Sequence, residues 1–463
     1  MHFFDAGGIM RSNQTVDMTR GNITRLLIRF AIPMLIGNLF QQAYNLGDSM
    51  IVGQFLGSDA LAAVGATGSV SFLFFSICNG IGSGCSVVAA QSYGSGDDKL
   101  TRRAISNAAY IMFVTALIMG VAAYLAAPSV LRMMGTHPAI LPTATMYMRM
   151  SCIGVPLVAV YNYTSSMLRA LGDSRTPLYF LIFSCFLNLG PDALFVCVFH
   201  MGVFGAALAT IIAQVVSGVG CLLYALKYNA YFKLTHQDLQ PDRDIITRSV
   251  KIGLPMAFQW SLIAVSSTAL QTFVNSFGNT DIVAASTATN RIENLLHQPY
   301  GSIGAALATF AGQNYGAKNY ARVRDGLRHG MLLSTIYTVF MMVLFQLFSE
   351  PVMRLFVKEA AVIELGAGAM RLTSWFFIFL SVIYMSRGIL NGIGDALFAL
   401  INGVVEVICR IALPLLIVLI PGVGFWSIWW TAGVTWGISS LFCLLRYVSW
   451  RRRTSRIQPA ATL

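Results

Sequence analysis

From about residue 33 the chain repeats itself without a gap 222 positions later. Pro33-Met34 recurs as Pro255-Met256, Asp59 as Asp281, Ala62-Ala63 as Ala284-Ala285, and Gln91-Ser92-Tyr93-Gly94 as Gln313-Asn314-Tyr315-Gly316. Arg149 is matched by Arg371, and Gly172-Asp173 by Gly394-Asp395. A unit of this length is far larger than a solenoid or propeller repeat. Each half must therefore fold to the same topology, and any chemistry present in only one half is an addition to that shared frame.

The solvent of this frame follows from composition. With 56% hydrophobic and 11% charged residues and a mean hydropathy of +0.67, the chain has too little polar surface to cover a water-soluble globule. Stretches long enough to cross about 30 Å of hydrocarbon as helix fall near 27–50, 61–90, 104–127, 142–168, 176–199 and 203–226, and near 248–275, 282–312, 327–348, 362–390, 397–420 and 423–447. The expectation is an all-α integral membrane protein of twelve transmembrane helices, with the two six-helix halves related by an axis along the membrane normal.

Lysine and arginine orient the spans. They gather in the first tail, in the loops after even-numbered spans and in the last tail, including Arg102-Arg103, Arg243, Arg322, Arg324 and Arg451-Arg452-Arg453. The opposite loops hold Arg132, Arg354 and Lys358. Both termini are thus expected on the cytoplasmic side of the membrane. The formal charge of +12 reflects this topology and attraction to anionic lipids, with no motif for nucleic acid. The expected segments are a cytoplasmic tail 1–24, a first lobe 25–226, a polar linker 227–247 that lets each half move as a body, a second lobe 248–447 and a basic tail 448–463. The first residues lack a signal-peptide pattern. The eight cysteines lie in apolar segments without a CxxC pair and read as packing residues.

A charge at bilayer depth costs at least about 2.5 kcal/mol, so acids within spans demand a reason. Asp48 lies on the first span, with Gln41, Tyr44 and Asn45 seven, four and three residues before it on one helix face. The fifth span places Asn188 and Asp192 one turn apart, and the sixth places Thr210 and Gln214 likewise. At about 1.5 Å per residue, Asp48 and Asp192 each rise roughly 22 Å from the cytoplasmic prolines Pro33 and Pro177. Thr210 descends about 10 Å from the other side, so all three reach the outer half of the membrane. Two carboxyls, an amide and a hydroxyl at one level offer hard oxygen ligands for Na+, or a dyad that shares a proton. Pro191 removes the helical donor of the Leu187 carbonyl just before Asp192.

The second half holds Leu270, Arg410, Pro414 and Ala432 where the first holds Asp48, Asn188, Asp192 and Thr210. Coupling is therefore expected in the first half. Glu406 and Arg410 are expected to pair within one helix, Arg149 and Arg371 to act as interfacial anchors, and Asp59 and Asp281 to be helix N-caps. Glu293 is the second-half candidate for contact with a cationic substrate. Gly80, Gly82 and Gly84 lie within the second span and read as a helix-packing surface. Enzyme signatures are missing: the sequence holds no HExxH, P-loop or nucleophile elbow.

The double repeat, the segment Asn45-Leu46-Gly47-Asp48, the Gln-x-Tyr-Gly loops and Arg169-Ala170-Leu171-Gly172-Asp173 resemble bacterial multidrug and toxic compound extrusion (MATE) transporters over roughly 25–450. The resemblance implies two lobes around a central cleft and antiport of lipophilic, often cationic small molecules against Na+ or H+, with no other cofactor. It is to the branch whose ion site lies in the first lobe. This carries over to Tyr44, Asp48, Asn188, Asp192 and Thr210, with Gln41 and Asn162 matching positions that line that lobe's cavity. Asn45, Gln214 and Glu293 complete the expected substrate surface. Membrane lipids are the expected surroundings, and a monomer the expected state. A flippase of lipid-linked oligosaccharides, using interior arginines on a pyrophosphate, and a non-transporting membrane receptor or enzyme are the alternatives.

Overall fold

The computed structural model describes residues 15–457. Of the two expected tails, residues 1–14 and 458–463 lie outside the described residues. The described chain is nearly all helix: α1 (Ile23–Gly94), α2 (Asp98–Met133), α3 (Leu141–Ala170), α4 (Arg175–Ala193), α5 (Gly202–Tyr228), α6 (Arg243–Asn275), α7 (Thr280–Gly316), α8 (Tyr320–Arg354), α9 (Ala360–Ser374), α10 (Phe377–Gly392), α11 (Ala396–Ile417) and α12 (Ser427–Ile457). Eight described helices are long and apolar enough to cross a membrane, and α9 with α10, bent by 55°, would form a ninth span. The first two expected spans lie within α1, which is interrupted at Gly57 with φ +84° and ψ −179°. A side chain would strain that conformation, whereas glycine adopts it freely. α6 and α7 are of comparable length, so the helical segments follow the order of the twelve expected spans.

The packing is that of a protein dissolved in lipid. On α2, Ala116, Gly120, Ala123 and Ala127 are buried, while Phe113, Leu117, Val121 and Leu125 on the other side are exposed. Small residues let helix axes approach, and large ones face the hydrocarbon. The glycines of the second span do the same. A Cβ on Gly80 would lie 2.3 Å from the Ala257 backbone, and one on Gly84 2.4 Å from that of Gly253. The two glycines, one turn apart, form a helix-packing surface as expected, and α6 is the helix they meet.

The molecule divides into two compact units. Unit 1 is Ile32–Ser261 with the described residues up to Arg20, and unit 2 is Gly21–Ala31 with the described residues from Leu262. The division therefore falls inside α1 and inside α6. Within unit 1, α3 packs on both α2 and α5, and α4 on α5. Within unit 2, α10 packs on α7, α8 and α12, and α11 on α12.

Two expectations are corrected here. The connection 227–247 is not a free tether, because it is docked on α2. Tyr231 donates to Asp98 at 2.9 Å, the Asp242 amide donates to Asn107 Oδ1 at 2.8 Å, Arg103 pairs with Asp242 at 2.9 Å, and Tyr231 and Phe232 are buried. Its polar residues serve as partners for the helix end, which composition alone reads as solvation. Asp281 is not the cap of α7: Asn279 is, its side chain accepting from the amides of Asp281 and Ile282. The short amide side chain two residues earlier reaches the open N–H groups first. Asp59 sits exposed two residues after Gly57. Arg149 lies over the Tyr124 ring at 4.9 Å, and Arg371 pairs with Glu350 at 3.0 Å.

Candidate functional site

Three helices of unit 1 bring the expected polar groups together. Thr210 on α5 is the junction. Its hydroxyl donates to the Ala206 carbonyl at 3.1 Å, within its own helix. With that proton committed, the oxygen accepts from Asn188 Nδ2 of α4 at 3.2 Å and from Tyr44 Oη of α1 at 3.3 Å. Asn188 is fixed by this bond so that its Oδ1 is turned away from Thr210, and this oxygen is buried without a hydrogen bond.

One turn further along α4, Asp192 is completely buried. Both of its carboxyl oxygens lack hydrogen bonds, as does Oδ1 of Asp48 on α1. The two carboxyls lie within electrostatic reach of each other, but no hydrogen bond of standard geometry joins them. No basic side chain forms an ion pair with either among the described residues. Buried polar atoms in folded proteins are nearly always satisfied. Four such oxygens, from α1 and α4, are a set of acceptors with the chemistry to take a cation or a proton.

The backbone prepares this site. Pro191 lies inside α4, and the helix passes into a π-helical turn at Leu194–Val198 directly after Asp192. Such turns collect at functional positions because they displace a side chain from the regular helical register. A small cavity beside the site is lined by Gln41, Tyr44, Ser184, Cys185, Asn188, Thr210 and Gln214. Gln41 and Gln214 are therefore placed together with Tyr44, Asn188 and Thr210. Asn45 is exposed and does not line this cavity, and Asn162 is half-buried on α3, also outside its lining.

The duplicated helical frame that carries this oxygen cluster is matched by comparison with known proteins. The MatE family model matches residues 33–194 and again 255–416, the second match beginning and ending 222 residues after the first. The chain belongs to the MatE family of transporters. It is 28% identical over 393 residues to the probable multidrug resistance protein YpnP of Bacillus subtilis, covering 84% of this chain and 87% of that one. It is 21% identical to the multidrug export protein MepA of Staphylococcus saprophyticus, covering 94% of this chain and 96% of that one. A crystal structure of MATE in the bent conformation superposes with a TM-score of 0.88 at 24% identity, covering 96% of this chain and 100% of that chain. As a MatE protein the chain is a multi-pass membrane transporter of small molecules, of the multidrug efflux family, and not an enzyme.

One residue near the oxygen cluster escaped the sequence reading. Tyr147 on α3 lies in the field of Asp48, Asp192 and Tyr44. Its signal was a phenol near the outer end of a span, at the depth already assigned to Asp48, but no acid or amide on that helix drew attention to it.

Unit 2 has its own buried polar group, arranged differently from the expectation. Glu406 does not pair with Arg410. Arg387 on α10 takes it instead, with Ser439 of α12 donating to the same carboxylate at 2.9 Å. Asn402 also faces Arg387 and Ser439. A neighbouring helix offers Glu406 a guanidinium head-on, whereas Arg410 sits one turn along its own helix. Glu293 on α7 is buried in unit 2 beside Thr373, within electrostatic reach of Arg410.

Proposed function

We propose that this transporter exports lipophilic, cationic small molecules in exchange for Na+ or H+, and that exchange is coupled through Asp48 and Asp192. The observation that carries this reading is the convergence of four unsatisfied oxygens, from Asp48, Asn188 and Asp192, in the interior of unit 1. Two adjacent carboxylates without a base repel each other strongly in low dielectric. A shared proton or a Na+ ion relieves that repulsion, and either fits the donor set: carboxylate and amide oxygens are hard ligands, and two facing carboxyls hold one proton between them.

In this reading each residue has a distinct part. Asp48 and Asp192 hold the charge. Asn188 contributes Oδ1, and Thr210 positions Asn188, since its own hydroxyl oxygen already accepts two hydrogen bonds. Tyr44 ties α1 to α5 through Thr210. Loading the site draws α1 toward α4, and unloading lets α1 move, which links ion occupancy to the arrangement of the helix that carries Gln41 and Asn45. Ligand-driven change requires such differential binding between conformations. Asp48 with Asn45, Gln41, Gln214 and Asn162 then form the substrate surface of unit 1, and Glu293 that of unit 2. The protein is placed in the bacterial inner membrane as a monomer with both termini in the cytoplasm.

The test is transport in proteoliposomes with a fluorescent lipophilic cation under an imposed Na+ or pH gradient. Wild-type protein is expected to move the dye uphill with one of the two gradients, and the double variant Asp48→Asn, Asp192→Asn to lose this while retaining its fold. Uphill transport by the double variant removes the coupling assignment. The flippase alternative predicts scrambling of pyrophosphate-linked lipid and no gradient-driven movement of the dye.

A further inference from the structure

The end of α8 that carries Arg354 is kinked. Pro351 offers no N–H to the Leu347 carbonyl, and the backbone leaves helical values at Phe348, with φ −123° and ψ 19°. α9 packs on α8, and beside this end the two helices and the turn between them line a cavity of about 680 Å3. Ligand sites commonly fall between about 300 and 1,000 Å3. The lining carries charges of both signs. Glu350 and Arg371, which belong to it, are paired at 3.0 Å. Arg354, Lys358 and Glu364 also line it, and none of the three forms an ion pair among the described residues. Glu359 lies beside them, its carboxylate accepting from the Lys358 amide at 3.2 Å, and it too has no ion pair among the described residues. Two cations and two acids are thus left over, and their charges cancel. Their complement is a molecule without net charge but with two separated poles, an anion for Arg354 and Lys358 and a cation for Glu364.

The apolar surface that leads to the cavity says what the rest of that molecule is. Leu332, Ile336, Phe340, Val343 and Leu347 are exposed, and their steps of four, four, three and four residues keep them on one face of α8. Steps of three and four carry the same series on to Glu350 and Arg354. Large apolar side chains on the outside of a membrane helix lie against hydrocarbon. The series therefore passes from hydrocarbon to a charged cavity, the order in which a phospholipid carries its acyl chain, its phosphate and its head amine. A water-soluble zwitterion would leave the apolar face unused.

We propose that the cavity between the end of α8 and the start of α9 holds the headgroup of one resident phospholipid of the phosphoethanolamine type. The phosphate takes the guanidinium fork of Arg354 and the ammonium of Lys358. The head ammonium donates to Glu364, and an acyl chain follows Leu347, Val343 and Phe340 along α8. A primary ammonium brings three N–H donors to a carboxylate, which the trimethylated nitrogen of phosphatidylcholine lacks. The site goes beyond the extrusion reading and does not rest on it, since α8 and α9 bear none of the groups assigned there. This lipid is held and not carried.

The experiment places the purified full-length transporter in phosphatidylcholine liposomes with a trace of phosphatidylethanolamine that bears a diazirine in one acyl chain. After irradiation, peptide mass spectrometry locates the label. It is expected to be enriched on residues 336–347 of α8. Excess unlabelled phosphatidylethanolamine is expected to lower this label at least fivefold, the same excess of phosphatidylglycerol less than twofold, and water-soluble glycerophosphoethanolamine not at all. Arg354→Met combined with Lys358→Met should lower it at least fivefold and Glu364→Gln at least threefold, whereas Arg354→Lys combined with Lys358→Arg keeps it within twofold. Thermal unfolding of each variant in the same liposomes identifies loss of fold. Glu364→Gln, at an exposed position, carries the test should the double methionine variant unfold. Equal competition by phosphatidylglycerol overturns the phosphoethanolamine assignment, and competition by glycerophosphoethanolamine shows a site for a soluble compound and overturns the lipid. No enrichment on 336–347, or a label unchanged in either folded variant that lacks a charge, means ordinary contact with hydrocarbon and overturns the site.

Discussion

Thr210 ties α1, α4 and α5 together through one hydroxyl. Replacing it by valine keeps the volume but leaves Asn188 Nδ2 and Tyr44 Oη without their shared acceptor. Leaving a buried donor unsatisfied costs about 1–3 kcal/mol. Thr210→Val is therefore expected to lower thermal stability by that order and to weaken the apparent affinity for the coupling ion several-fold in transport assays, whereas Thr210→Ser retains both. Asp173, in the turn between α3 and α4, is a purely structural counterpart. Its carboxylate accepts from the amides of Arg175 and Thr176 at 3.0 Å each and from the Thr176 hydroxyl at 2.6 Å, capping α4. Asp173→Ala should cost about 1 kcal/mol. Burial pushes the Asp173 carboxyl above its ordinary range, more than its hydrogen bonds and Arg175 lower it. The native state then holds this proton more firmly than the unfolded chain. Stability from this group is full below the unfolded carboxylate value and declines as pH rises through the raised native one, a slope that Asp173→Asn removes from a pH series of unfolding temperatures. The acids of unit 1 were legible from spacing and depth alone. The partner of Glu406 was not, because periodicity along one helix says nothing of the guanidinium that α10 brings beside it.

Among the elements, close helix packing at Gly80 and Gly84 is what the sequence announced, and the structure supplies the partner, α6. Gly80 and Gly84 meet Ala257 and Gly253, a small-residue ladder on each helix with a one-turn step. A methyl group on Gly84 would lie 2.4 Å from the Gly253 backbone, where no side chain can yield. Gly84→Ala is accordingly expected to destabilise by more than 1 kcal/mol, a strain of the overpacking kind. Gly65, also in α1, has open space around its Cβ position, and Gly65→Ala should stabilise by about 0.5–1 kcal/mol through the lower entropy of the unfolded chain. Opposite shifts in unfolding temperature for two alanines in one helix would confirm that close approach, and not glycine itself, is what α1 requires. Helix order and the major turns were readable from apolar runs. The break at Gly57 falls between the first two apolar runs, but the passage of α4 into a π turn could not be read, because hydrophobic runs do not distinguish one helical hydrogen-bond register from another.

At the scale of the molecule, duplication supplies the frame and the departures from it supply the chemistry. Unit 1 holds acids where unit 2 holds Leu270 and Pro414, and unit 2 holds Arg410 where unit 1 holds Asn188. The connection between the repeats is where sequence reading and structure diverge most. Its polarity suggested a loose tether, but Asn107 alone accepts from the Asp242 amide and donates toward the Gln240 carbonyl, while Tyr110 donates to Leu239 at 2.9 Å. Lys233 and Arg243 flank this docked stretch and are exposed, so trypsin reports on both its side of the membrane and its docking. By the distribution of basic residues the connection faces the cytoplasm. In inside-out vesicles trypsin should cut there, and in right-side-out vesicles it should not. Asn107→Ala removes hydrogen bonds worth about 1 kcal/mol each, and cleavage that follows the population of an opened segment should then be several-fold faster in inside-out vesicles. Cleavage from the outer side would invert the topology, and an unchanged rate in Asn107→Ala would mean that the contacts with α2 do not hold the connection in place.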